Sequence, residues 1–198
     1  MITTYIFDLD DTLIDTKIYA KMYPEVLKMI KHKLSLSDFE LEQEAKIKGV
    51  PIESHGRYDS GDLCRELGLL GEYYEILEKH IEVIDVLHDK VFDVLQMLHG
   101  FKVGIASNSM QRTIKLYLKK YGINVNFVFS HDDAGCKKNQ TVYWKKLIEK
   151  EKLSPLNCIV IGDNLIDDSV IPSKVGFKTL LIKDLCEVVS YINNKNLH

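Results

Sequence analysis

Apolar residues gather in five short runs, over 3–9, 101–106, 125–130, 157–162 and 177–182. The runs are rich in β-branched and aromatic side chains and, the 125–130 run being the weakest, predict strands buried on both faces. Helical spacing follows the later runs, over 111–121, 142–152, 166–175 and 184–194, and two of these stretches stop at Gly122 and Gly176. Strands alternating with helices of this length predict βαβ units and a parallel sheet, that is, a doubly wound α/β domain. Residues 16–87 break the rhythm. They hold no convincing strand, and helical patterns cover 18–34, 37–48, 63–69 and 73–86. Ser37 and Glu40 have the spacing of a capping box. The stretch 49–61 (GVPIESHGRYDSG) is too rich in glycine, proline and polar residues for helix. The expected organisation is an α/β domain made of 1–15 and 88–198, interrupted by an all-helical block over 16–87.

Composition narrows the functional classes. The chain has 198 residues, 45% of them hydrophobic, and a net charge of −3, the balance of a soluble globular protein. No apolar run approaches the roughly 18 residues of a membrane span. The opening MITTYIFDLDDTL has neither the basic nor the apolar segment of a secretory leader. A slightly acidic surface is a poor match for nucleic-acid phosphates. The expectation is a cytoplasmic protein, monomer or homodimer, with neither a membrane nor a nucleic-acid partner. Its four cysteines form no C-x-x-C pair, as expected of reduced thiols, and its seven histidines are scattered.

The chemistry gathers at strand ends, where parallel sheets bind ligands. Asp8, Asp10 and Asp11 follow the first strand directly. Carboxylates that close stay ionised together only around a cation, so the options are a Mg²⁺ site or an acid/base pair. Ser107 and Asn108 end the second strand before a helix, where a hydroxyl and backbone N–H groups can cradle a phosphate or simply cap the helix. Lys137 and Lys138 precede the helix after the third strand, a place where cations suggest a bound anion. Asp163 and Asp167 follow the fourth strand and offer the hard oxygens that Mg²⁺ prefers.

Four such signals in this order resemble the haloacid dehalogenase (HAD) superfamily of phosphohydrolases. The matching segments are FDLDDTL over 7–13, ASNS over 106–109, Lys137, and IGDNLIDD over 161–168. Lys137 rather than Lys138 fits the family's Lys-Pro-x-Pro-x-x-Phe/Tyr pattern, ending at Tyr143, with Lys138 and Gln140 in place of the prolines. The resemblance implies a Rossmann-like core with an inserted helical cap. It implies Asp8 as nucleophile forming an aspartyl-phosphate, Asp10 as general acid/base, and Thr12 as support of the loop. Leu9, Ser107, Asn108 and Lys137 would bind the phosphoryl group. Mg²⁺ would be bound by Asp8, the Asp10 carbonyl, Asp163 and Asp167. Asp10 argues for phosphate chemistry and against dehalogenation. A substrate-specificity loop of the cap would correspond to His55, Arg57 and Tyr58, and Tyr19, Tyr23, Tyr73 and Tyr74 fall on cap helices. The implied activity is Mg²⁺-dependent hydrolysis of a small phosphorylated metabolite of nucleotide or sugar-phosphate type. A phosphomutase using the same intermediate, and a non-catalytic binding module on this fold, stay open.

Overall fold

A computed structural model describes residues 1–52 and 56–195, so His55 lies outside the described residues. The chain divides into two compact units, Met1–Asp15 with Val86–His198, and Thr16–Asp85.

The first unit is a parallel five-stranded sheet in the order β3-β2-β1-β4-β5. The strands are β1 (Thr4–Phe7), β2 (Lys102–Ser107), β3 (Phe127–Ser130), β4 (Cys158–Gly162) and β5 (Lys178–Leu181). Every run predicted as a strand is one. β1 is central and buried along its whole length, which is why its sequence shows no alternation. Phe7 pairs with Ile105 on one side and with Ile161 on the other, so the carboxyl ends of β1, β2 and β4 are level. After β3 the chain crosses to the far side of β1, which puts the topological switch point between β1 and β4.

The helices are, in chain order, α1 (Lys17–Leu34), α2 (Asp38–Ile47), α3 (Ser60–Glu66), α4 (Leu70–Val83), α5 (Val91–Met97), α6 (Gln111–Tyr121), α7 (His131–Ala134), α8 (Thr141–Glu151), α9 (Ile171–Ser173) and α10 (Leu185–Lys195). α8 packs on the sheet through a chain of edge-to-face rings. Phe129 meets Tyr143 at 5.0 Å, Tyr143 meets Trp144 at 5.3 Å and Trp144 meets Phe177 at 5.5 Å. The helix expected over 166–175 is instead a π-helical turn, Leu165–Val170, running into the short α9. α5 had no counterpart in the sequence pattern, since its seven residues are too few to show a period.

The second unit is all helix. α1 buries Ile18, Met22, Val26 and Ile30, a stripe repeating every four residues, and α4 buries Tyr73, Tyr74, Ile76, Leu77 and Ile81. Ser37 and Glu40 form the capping box of α2. α3 begins earlier than its expected start because Asp59 accepts from Gly61 N at 2.9 Å and Asp62 N at 3.0 Å. In the irregular stretch, Ile52 pairs with Tyr58 in a single bridge. Tyr58 N donates to Tyr23 Oη at 3.2 Å, and the Arg57 guanidinium lies 5.7 Å from the Tyr23 ring centre. Two of the three residues of the expected specificity loop, Arg57 and Tyr58, thus meet Tyr23.

Where the chain leaves and re-enters the sheet unit, its two passages pair. Asp15 N donates to Val86 O at 2.8 Å, and His88 N donates to Leu13 O at 3.0 Å. All four cysteines are free. Among the described residues, no helix is long and apolar enough to cross a membrane.

Candidate active site

Asp8 is the first residue beyond β1 and continues its ladder, its N–H donating to Ile161 O at 2.8 Å. The chain then coils tightly. Leu9 O accepts from Leu13 N at 2.8 Å and Ile14 N at 3.0 Å, Asp11 N donates to Ile14 O at 2.7 Å, and Asp11 adopts a left-handed φ of 54°. This coil turns Asp8 and Asp11 different ways, Asp8 into the protein and Asp11 to solvent. Leu9 buries its side chain, which leaves only its backbone for a ligand.

The lysine that reaches Asp8 is Lys138, the neighbour of the expected Lys137. Lys138 Nζ lies 2.7 Å from Asp8 Oδ1 and 2.5 Å from Asp168 Oδ1, and the residue is 1% exposed. Its backbone explains the placement. Lys138 N donates to Asn108 Oδ1 at 2.7 Å, and its carbonyl accepts from Trp144 Nε1 at 2.9 Å. Lys137 precedes it in the same turn and is half-buried.

Asp168 likewise stands where Asp167 was expected. In the π-helical turn, Asn164 Oδ1 accepts from Ile166 N at 3.0 Å and from Asp167 N at 3.1 Å, while Asp168 Oδ2 accepts from Asn164 N at 3.1 Å. Asp168 N also donates to Asn164 O at 2.9 Å, so the two residues hold each other at both ends, and Asp168 is fully buried. Asp167 Oδ2 instead accepts from Asn108 Nδ2 at 2.8 Å. Asn108 therefore ties together the loops after β2 and β4 and the turn before α8. Asp8, Asp163 and Asp168 can bring one carboxylate oxygen each within 4.8 Å of one another. Thr12 Oγ1 donates to Asp163 Oδ1 at 3.3 Å.

The electrostatics follow from one ammonium among several carboxylates. Burial pushes the Asp8 carboxyl well above the usual carboxylate range; Lys138 opposes this, while Asp168 and Asp10 add to it. Burial works against the charge of Lys138 too, but Asp8 and Asp168 outweigh it and raise the ammonium above the usual lysine range. Burial and the charge of Asp168 raise Asp163 as well. The charged lysine leaves negative charge over, and the set of hard oxygens fits a small divalent cation such as Mg²⁺.

Asp10 is held from the β2 side. Ser109 Oγ donates to Asp10 Oδ2 at 2.6 Å, and Ser107 Oγ lies 3.5 Å from the same oxygen. Ser107 Oγ also accepts from Ser109 N at 2.9 Å, and Tyr143 Oη donates to Ser107 O and Phe129 O. Ser109 and Asp168 are residues to which the sequence reading gave no role, and Lys138 was named there with Lys137 but passed over for it in the family pattern. The doubled Lys-Lys and Asp-Asp, and the second serine of ASNS, were the only signals of them.

The chain matches the family model of haloacid dehalogenase-like hydrolases over residues 2–170. It is 28% identical to YqeG of Bacillus subtilis over 98 residues, covering 50% of this chain and only about half, 53%, of that one. It is 24% identical to the pyrophosphatase PpaX of Bacillus mycoides over 185 residues, 91% of this chain and 83% of that one. Among solved structures it resembles the magnesium-bound HAD-hydrolase YfnB of Bacillus subtilis, with a TM-score of 0.66 at 20% identity over 97% of this chain and 99% of that one. With the family model spanning most of its length, the chain belongs to the haloacid dehalogenase-like hydrolases.

Proposed function

We propose that the chain is a Mg²⁺-dependent phosphatase that hydrolyses a small phosphate monoester through an aspartyl-phosphate on Asp8. The observation that carries the reading is the buried Lys138, paired with Asp8 beside Asp163 and Asp168, with a second carboxylate, Asp10, two residues on. Asp8, Asp163 and Asp168 would hold the metal, which when bound supplies positive charge against the phosphoryl oxygens. Lys138 keeps Asp8 oriented and brings its own charge to the phosphoryl group. Asp8 attacks phosphorus as the bond to the leaving oxygen breaks, and Asp10 gives that oxygen a proton. Asp10 then takes a proton from the water that hydrolyses the acyl phosphate, returning both carboxyls to their starting state.

A second reading has its own support. The relative PpaX is a pyrophosphatase, and the same residues would serve a phosphoanhydride whose leaving group is phosphate. A panel containing inorganic pyrophosphate and monoesters distinguishes the two by kcat/KM.

The test of the common chemistry is phosphate release from an aryl phosphate, with and without Mg²⁺, by the native protein and by Asp8→Asn. Asp8→Asn keeps the shape and removes the nucleophilic charge. Turnover that needs Mg²⁺ and falls by at least about 10³-fold in the variant is the expected result. Equal turnover in both proteins would refute the assignment of Asp8.

A further inference from the structure

Asp10 can act as an acid only if its proton faces the leaving oxygen, and a carboxyl group turns easily about its last torsion. In this chain the torsion is fixed from outside the Asp8–Asp11 coil. Ser109 Oγ donates to Asp10 Oδ2 at 2.6 Å, a short hydrogen bond. Ser107 Oγ, at 3.5 Å from that oxygen, is too distant to take over the task. Ser109 is itself anchored, since its N–H donates to Ser107 Oγ at 2.9 Å and Ser107 is the buried last residue of β2, in register with Ser130.

We infer that Ser109 is a positioning residue for the proton transfer: by holding Oδ2 it fixes the orientation of the Asp10 carboxyl group. The inference rests on the phosphatase reading and deepens it. In the step concerned, an Asp8 oxygen forms its bond to phosphorus and the bond from phosphorus to the leaving oxygen breaks. The electron pair of that bond takes the proton from Asp10, so an alcohol leaves and Asp10 ends as the carboxylate. Charge and atoms balance with no further reactant.

A misaligned acid matters only where the leaving group needs a proton. Phenyl phosphate and 2,4-dinitrophenyl phosphate share one ring, but phenol is a weak acid, with a pKa of about 10 like the tyrosine side chain, while the dinitrophenolate leaves as a stable anion. The quantity to compare is kcat/KM, which covers the steps up to departure of the phenol. Ser109→Ala is expected to lose about 10- to 100-fold on phenyl phosphate, and at least ~10-fold less than that on the dinitro ester, a share of what general acid catalysis contributes. Ser109→Thr keeps a hydroxyl and is expected to restore the native ratio between the two esters. Thermal unfolding of both variants shows that each is folded. Equal losses on both esters in folded Ser109→Ala, or a folded Ser109→Thr with the ratio of the alanine variant, would overturn the role. A native protein that releases phosphate from neither ester removes the phosphatase reading itself, and the role of Ser109 with it.

Discussion

Lys138 is a lysine almost wholly withdrawn from water, and it keeps its charge because Asp8 and Asp168 face it. Removing one partner of a buried pair costs more than the pair contributes, because the remaining charge is stranded. Lys138→Met is therefore expected to lower kcat/KM for an aryl phosphate by about 10²–10³-fold, the effect of deleting a donor at a reacting oxyanion. Lys137→Met is expected to lose at least ~10-fold less, and steady-state kinetics of the two variants compare them directly. At both places the residue that lies beside Asp8 is the neighbour of the one the resemblance implied, and for the same reason. Each has an identical neighbour, and spacing along the chain chooses between neighbours only if the local turn is known. The aromatic six residues after Lys137 is Tyr143 and that after Lys138 is Trp144, so the spacing suits both. The choice is made by the indole of Trp144 and the amide of Asn108, which grip the backbone of Lys138.

The reciprocal bonds with Asn164 hold Asp168 in place, and Gly162 makes room for it. A Cβ on Gly162 would stand 2.3 Å from Cγ and Oδ2 of Asp168, far inside contact distance. Gly162→Ala is expected to push Asp168 out of line with Asp8 and Asp163, at a cost in stability of about 1–3 kcal/mol. Its far-UV circular dichroism should remain native while Mg²⁺ binding, followed by calorimetry, weakens by at least ~10-fold. Native-strength binding in the variant would mean that Asp168 is not a ligand. The strands were readable in the sequence because burial on both faces leaves an unbroken apolar run, as TYIF of β1 shows. The turn after β4 was not, because a π-turn differs from an α-turn by one residue and no composition marks it. The start of α3 was missed because Gly61 reads as a breaker, although Asp59 caps the helix just before it.

The molecule carries a single tryptophan, Trp144, in the core of the sheet unit, so its fluorescence reports the unfolding of that unit. A ligand that binds only the folded state raises stability by RT ln(1 + [L]/Kd), about 2.7 kcal/mol at 100 times Kd. Mg²⁺ at that excess is expected to move the urea midpoint of Trp144 fluorescence upward, a chelator to return it, and Asp168→Asn to remove most of the shift. An unmoved midpoint in the native protein would argue against a metal at the three aspartates. The contacts divide the chain into two compact units with edges at Thr16 and Asp85, and in the sequence the alternation of strand and helix breaks over the same stretch. That division has an evolutionary consequence. The hydrogen bond from Asp15 to Val86 brings the ends of the helical unit side by side at the rim of the sheet. Neighbouring ends are the geometry that tolerates domain insertion. Residues 16–85 thus have the geometry of an inserted cassette, whose length can change without interrupting β1 or the strands beside it.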